Sequence, residues 1–276
     1  MAGSRINTNI SAMNALNALN AVNREMGMHQ LRLASGKRIN SSSDDPSGYV
    51  ISKKMEGRIR SLSAAVDNVG DAQSVYGVAE GGYQTIADLL SQMKDKQTRA
   101  NNGAMGKDEL DAIASELNQL LTEIDDINSQ TKFNGLTLFK KTSSDTAYSK
   151  TFQVGEGSTD TLSVGFSATT GATALLAVAA GAVTSANISS LTIDTGLATV
   201  NAEVGTIGAV LNRLSTKESN LATAITNVEA AKSRIFDADV AKEQISSVKL
   251  QILQQTATAQ LAQANSSPQV FLSLFR

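Results

Sequence analysis

From Ala209 to Ser267 the chain runs without a glycine or a proline. Within and just before this stretch Val204, Ile207, Leu211, Leu214, Leu221, Ile225 and Val228 keep the three-and-four spacing of a heptad seam, with Glu218 as the one interruption. A second stripe, Ile245, Val248 and Ile252 with Leu250, Leu253, Ala257 and Leu261, continues to Asn265, where the pattern predicts a helix end ahead of Pro268. Roughly 50 helical residues at 1.5 Å each would extend about 75 Å, far more than a single globular domain requires. Such an apolar stripe needs other helices to cover it.

The other end of the chain offers them. Ile6, Ile10, Met13, Leu16, Leu19, Val22 and Met26 lie on one face of a helix predicted from Arg5 to about Leu33. It breaks at Ser35-Gly36, and after Asn40-Ser41-Ser42-Ser43 the run Asp44-Asp45-Pro46 supplies a carboxylate N-cap and a proline at the first helical position. The next helix carries Ile51, Met55, Ile59, Leu62, Val66, Val69, Tyr76, Tyr83, Ile86, Leu90 and Met93 up to Asn101-Asn102-Gly103, and its middle is weakened by glycines 70, 77, 81 and 82. A third helix follows with Leu110, Ile113, Leu117, Leu120, Ile124 and Ile127.

After Phe133-Asn134-Gly135 the pattern changes to short strand-like runs, Leu136 to Phe139, Thr151 to Val154 and Thr161 to Phe166, which predict hairpins. Residues from about Ser167 to Ser190, rich in Ala, Thr, Gly and Ser, read as a solvent-facing connector or small variable insert. The predicted fold is mainly α: long antiparallel helices in a coiled-coil-like rod, a small β-hairpin region, and both termini at the same end. Two isolated helices cannot bury a whole apolar stripe between them, so the surplus predicts association with further copies.

Composition narrows the function. With 24 basic and 26 acidic residues and no Lys/Arg cluster, the chain has no field to attract nucleic acid. Aromatics make up 4% and Trp is absent, which suits slender helices better than an enzyme interior built on large rings. There is no cysteine, and His29 is the one histidine, so it reads as a surface or interface residue rather than as a metal ligand or general base. The carboxylate pairs Asp44-Asp45, Asp125-Asp126 and Asp237/Asp239 read as helix caps or solvated faces, and Ser35-Gly36-Lys37, without the upstream glycine of a phosphate loop, reads as a helix break. No apolar run approaches a membrane span, and Met1 to Ile10 shows no Sec-type signal peptide. The Asn-x-Ser sequons at Asn9, Asn40, Asn187 and Asn265 are what an Asn- and Ser-rich chain contains by chance.

Several separate blocks resemble bacterial flagellin. At the N-terminal end these are Arg5-Ile6-Asn7-Thr8-Asn9-Ile10 and Leu33-Ala34-Ser35-Gly36-Lys37-Arg38-Ile39-Asn40 running into Asp44-Asp45-Pro46-Ser47-Gly48. The hairpin region matches at Phe133-Asn134-Gly135 and Phe152-Gln153-Val154-Gly155. The C-terminal blocks are Gly208-Ala209-Val210-Leu211-Asn212-Arg213-Leu214, Ala231-Lys232-Ser233-Arg234-Ile235 with Asp237 and Asp239, and Gln263-Ala264-Asn265 before Pro268-Gln269.

The resemblance implies a non-enzymatic filament subunit with no cofactor, exported unfolded through the flagellar type III apparatus to the extracellular filament. Residues 1–44 and 236–276 would form the terminal helical layer, 45–166 with 190–235 the next layer, and 167–189 a short variable connector in place of large outer domains. Ile6, Ile10, Met13, Leu16, Leu19, Ile245, Val248, Ile252, Leu253 and Leu261 would make the subunit interface. Implied partners are further copies of the chain, an export chaperone on the C-terminal helix, a filament cap protein and hook-filament junction proteins. The surface that many flagellins present to Toll-like receptor 5 falls on Leu90 to Arg99, where Gln92 replaces an arginine and Lys96 a leucine while Glu116 is retained, which implies weak or absent receptor activation. Three alternatives are weighed against this reading. A hook-filament junction protein is disfavoured by the hairpin block, an enzyme grafted on a flagellin scaffold by the single histidine, and a cytosolic coiled-coil adaptor by the Phe152 to Phe166 hairpin.

Overall fold

The computed structural model describes residues 8–139, 148–166, 170–176 and 181–273. In chain order it has α1 (Ile10–Ser35), α2 (Pro46–Ala100), α3 (Lys107–Gln130), β1 (Lys132–Phe133), β2 (Leu136–Thr137), β3 (Ser149–Gln153), β4 (Thr161–Gly165), α4 (Ala172–Leu176), a 3-10 turn (Ile188–Ser190), α5 (Ile193–Phe236) and α6 (Val240–Ser273). The chain divides into two compact units, one of residues 1–59 with 227–276 and the other of residues 60–226. These divisions fall inside α2 and α5, whereas the layer boundaries that the resemblance implies, at 44/45 and 235/236, lie close to the breaks in the backbone.

In the first unit α1 starts at Ile10 rather than near Arg5, because the Asn9 side chain accepts the Ala12 N–H at 3.0 Å and caps the first turn. It stops at Ser35 because Gly36 takes the left-handed conformation at φ 68. The Asp44 carboxylate accepts the N–H groups of Ser41 and Asn40, each at 2.9 Å, and these bonds hold its pKa below the ordinary aspartate value. Asp45 then caps α2 by accepting the Gly48 N–H at 2.9 Å, as the Asp-Asp-Pro pattern predicts.

The predicted uninterrupted C-terminal helix is in fact two helices. α5 ends at Phe236 and α6 begins at Val240, because Lys37 and Asp237 form an antiparallel bridge. Arg38 N–H donates to Phe236 O at 2.8 Å, and Ala238 N–H donates to Gly36 O at 2.9 Å. These long-range bonds take the backbone out of helical geometry, and the Asp239 carboxylate restarts it by accepting from Ala241 and Lys242. The expected stop before Pro268 is also absent: α6 runs on to Ser273. A proline inside a helix removes one N–H from the ladder at a cost of about 3 kcal/mol, which can kink a helix without ending it.

The second unit has a dense core. Along α2 the buried side chains Leu62, Ala65, Val69, Ala72, Tyr76, Ala79, Tyr83, Ile86, Leu90, Met93 and Gln97 alternate gaps of three and four. They face α3 and α5, both antiparallel to α2, as the pairs Lys96–Glu116, Lys94–Asp194 and Gln73–Glu218 fix. α2 runs without a break through its four central glycines. Gly82 is needed there, because a Cβ would lie 2.7 Å from Phe139 Cε2. That ring belongs to an aromatic cluster with Tyr83, Phe166, Tyr148 and Tyr76.

β1 and β2 pair across Asn134-Gly135, both at positive φ, and β3 pairs antiparallel with β4 from Ser149↔Gly165 to Gln153↔Thr161, so both predicted hairpins form. The 167–189 connector is not simply solvent-facing. Thr170, Ala172, Leu175, Leu176, Val183 and Ile188 are buried, held by Asn128 at Thr170 O (2.7 Å) and Asn118 at Val183 O (2.9 Å). This second cover widens the buried arc of α3, so Ala114, Leu121 and Asn128 lie deeper than the predicted Ile113, Leu120 and Ile127.

Within this core the Tyr83 hydroxyl is buried without a hydrogen-bond partner among the described residues, and burial pushes its pKa above the ordinary tyrosine value. Tyr83→Phe removes that unsatisfied group and should leave the urea midpoint unchanged or raise it, whereas Gly82→Ala should cost about 1–3 kcal/mol by forcing Phe139 to move. Equilibrium unfolding of the two variants beside the parent chain checks both.

Candidate assembly surface

The first unit is built from the same heptad geometry as the second but with different contents. α1 and α6 lie antiparallel: Asn9 Nδ2 donates to Ala264 O at 2.7 Å, Gln254 Nε2 to Asn23 Oδ1 at 2.8 Å, and His29 pairs with Glu243. The less exposed positions include Ala12, Ala15, Leu19, Val22, Met26 and His29 on α1, and Glu243, Ser247, Leu250, Gln254, Ala257, Leu261 and Ala264 on α6. Both series alternate gaps of three and four, so this face is a seam. Most of its side chains are small or polar.

Glu243 is the charged member of the α6 series and only 9% exposed; it is held by His29 Nδ1 and, at 3.7 Å, by the Arg32 guanidinium. The one histidine of the chain is therefore an interface residue of the seam. Periodicity did not reveal this pairing, because a polar residue inside a seam reads as an interruption until its partner is known.

Other large apolar side chains sit on the outer side. Ile10, Met13 and Leu16 on α1 and Ile245, Val248, Ile252 and Leu253 on α6 are all exposed, Ile245 at 71%. Leu19 and Leu261 are half-buried in the seam, and Ile6 lies outside the described residues. Met28, Leu31, Val50 and Val240 are further exposed apolar positions of the same unit, which stand off the stripes read from the sequence, and Ile51, on the predicted stripe of α2, is exposed as well.

The imbalance between the units is large. Of the fourteen exposed large hydrophobic residues among the described positions, twelve belong to the first unit and only Val78 and Leu136 to the second. Of the buried hydrophobic residues only Ile39 and Leu250 belong to the first unit, and α1 has none. No charged residue lies between Arg5 and Arg24 or between Lys249 and Arg276. A surface this apolar and this free of charge is the candidate for association with other chains.

The stretch Leu90 to Arg99, which the resemblance aligns with the receptor surface of other flagellins, lies in the second unit. Leu90, Met93 and Gln97 are buried, with Gln97 donating to the carbonyls of Ile188 and Leu191 at 3.0 and 2.9 Å, while Gln92 is exposed. Lys96 is bound to Glu116 in an ion pair, so the retained acidic group is already engaged by the residue that replaces the leucine.

No helix of the described residues is long and apolar enough to cross a membrane. Residues 6–144 match the family model described as the bacterial flagellin N-terminal helical region, and residues 191–275 match that of the bacterial flagellin C-terminal helical region. The chain is similar to the flagellin FlaB1 of Treponema pallidum, 34% identical over 98% of this chain and 99% of that protein. It is also similar to a flagellin of Bacillus subtilis, 35% identical over 99% of this chain and all of the other. Among solved structures, a putative flagellar hook-associated protein from Vibrio parahaemolyticus shares the fold at a TM-score of 0.57 and 16% identity, covering 70% of this chain and all of that one.

Glu243→Ala should leave His29 and Arg32 facing an empty seam and loosen the α1–α6 pairing, whereas Lys249→Ala, at an exposed α6 position, should not. Amide hydrogen exchange resolved along α1 and α6 should show faster exchange in the first variant alone.

Proposed function

Because the chain belongs to the bacterial flagellin family, we propose that the exposed apolar positions of its first unit, Ile10, Met13, Leu16, Ile245, Val248, Ile252 and Leu253, together with Ile6, Leu19 and Leu261, form the contacts by which copies assemble. Flagellins are structural proteins, not enzymes, and this chain is a structural subunit that polymerises into the bacterial flagellar filament, an extracellular assembly that serves motility. The observation that carries the choice of surface is the crowding of exposed large hydrophobics onto a unit that buries almost none. Fully burying one Leu or Ile is worth about 1.5–3 kcal/mol, so covering seven such residues outweighs the weak seam within one subunit.

In this reading residues 1–44 with 236–276 form the innermost layer and 45–166 with 190–235 the layer around it. Export proceeds unfolded through the flagellar type III apparatus without a cleaved signal peptide. An export chaperone covers the C-terminal helix until assembly, since Ile245, Val248, Ile252 and Leu253 would otherwise associate too early. A filament cap protein and hook-filament junction proteins meet the same helices at the two ends of the polymer.

Growth from short filament seeds, followed by sedimentation and negative-stain microscopy, tests the surface. Ile245→Ser combined with Ile252→Ser should leave the melting of the second unit unchanged yet abolish filament growth, as should removal of residues 1–44 and 236–276. Filaments from the double variant at the parent rate would refute the assignment. Replacing Gln92 by Arg and Lys96 by Leu should raise signalling in receptor-5 reporter cells above the weak or absent response expected of the parent chain.

A further inference from the structure

In the second unit the side chains that α5 turns inward follow gaps of three and four: Val200, Glu203, Ile207, Val210 and Leu214. Val200, Ile207 and Leu214 are buried, so Glu203 stands half-buried at a position where the pattern calls for an apolar residue. The other acids of α5 in this unit are matched across the seam by α2. Asp194 pairs with Lys94, and Glu218 accepts the Gln73 amide at 3.1 Å. Glu203 meets no donor and no cation among the described residues.

The groups around it supply none. On α2 the Tyr83 hydroxyl is within electrostatic reach, and it is itself buried without a hydrogen-bond partner among the described residues; burial first, and then the Glu203 charge, push its pKa above the ordinary tyrosine value. Glu80 accepts the Gln84 amide of its own helix at 3.2 Å, and Asp88 is exposed. The aromatic cluster around Tyr83 adds Tyr76 and Tyr148, which carry no charge at neutral pH. The cations of the seam are distant: Lys94 is engaged by Asp194, which precedes Glu203 by nine residues, and Arg213 and Lys217 follow it by ten and fourteen, roughly 13, 15 and 21 Å along the helix. Burial therefore pushes the Glu203 carboxyl above the ordinary glutamate value.

We propose that Glu203 makes the second unit proton-sensitive: ionised, it weakens the middle of the α2–α5 seam, and protonated, it packs there between Val200 and Ile207 as a neutral seam residue. A carboxyl that binds its proton more tightly folded than unfolded contributes stability that is fully present below its unfolded pKa and is lost as pH rises through its folded one. The seam of this subunit thus tightens as its surroundings acidify. The response needs neither a partner chain nor the apolar first unit, so it holds whether or not copies have assembled.

Urea unfolding of the full chain, without filament seeds, tests this from about pH 7.5 down to about pH 4.5. Tyrosine fluorescence follows the second unit, since Tyr76, Tyr83 and Tyr148 lie in it and only Tyr49 lies outside. Glu203→Gln, a neutral mimic of the protonated state, should unfold at a higher urea midpoint than the parent at the upper pH, and this gap should shrink to less than half at the lower pH. Glu229→Gln, at an exposed position of α5, should show no such closing gap. In parallel, the Glu203 side-chain carboxyl carbon of the parent, followed by NMR, should titrate at a higher pH than that of Glu229, a readout that does not depend on how the variant folds. A gap that stays constant across the pH range, or a Glu203 carboxyl that titrates together with or below Glu229, overturns the assignment.

Discussion

The rest of the structure depends on how the three-and-four spacing of inward side chains is filled. In the second unit the seam positions of α2, α3 and α5 hold Leu, Ile, Val, Met and Tyr, and many of them are inaccessible to solvent. In the first unit the same geometry mixes Leu19, Val22, Met26, Leu250 and Leu261 with Ala12, Ala15, Ser247, Gln254, Ala257 and the His29–Glu243 pair, and of the large apolar ones only Leu250 is buried. Close packing of large side chains makes the second unit self-sufficient. Small and polar residues bring α1 and α6 together in a defined register, but bury too little to stabilise them strongly.

On the proposed reading, this division suits a subunit that is exported as an unfolded chain and assembles through its first unit. A strong coiled coil between α1 and α6 would resist unfolding, and its large residues would be spent within one molecule. With Ile10, Met13, Leu16, Ile245 and Ile252 turned outward, that area is left for neighbouring copies in the proposed assembly. The buried Glu243, held by His29 and Arg32, contributes register rather than strength, since a desolvated charge is tolerated only opposite its partners.

The second unit is fastened by polar groups with buried ends. Asn118 and Asn128 tie the 170–188 segment to α3, and Gln97 ties Ile188 and Leu191 to α2. Each amide satisfies backbone groups that a short, irregular segment would otherwise leave without partners. The segment between the hairpins and α5 thereby becomes part of the core.

The sequence by itself determined the helices, their ends at Gly36 and the Asp-Asp-Pro cap, and both hairpins, because these follow from local backbone preferences and from periodicity. It also supplied the blocks that resemble flagellin. Tertiary structure alone decided the break at Asp237–Asp239, since that break is made by bonds from Gly36 and Arg38 about 200 residues away. It decided the burial of Leu175 and Leu176, which depends on what α3 offers them, and it separated the inward face of α1 from the outward one. Periodicity finds an apolar stripe on a helix, but which edge of that stripe meets a partner in the same chain is fixed by the partner's position. Ile10 and Leu19 read alike in sequence, yet one lies outside and the other in the seam.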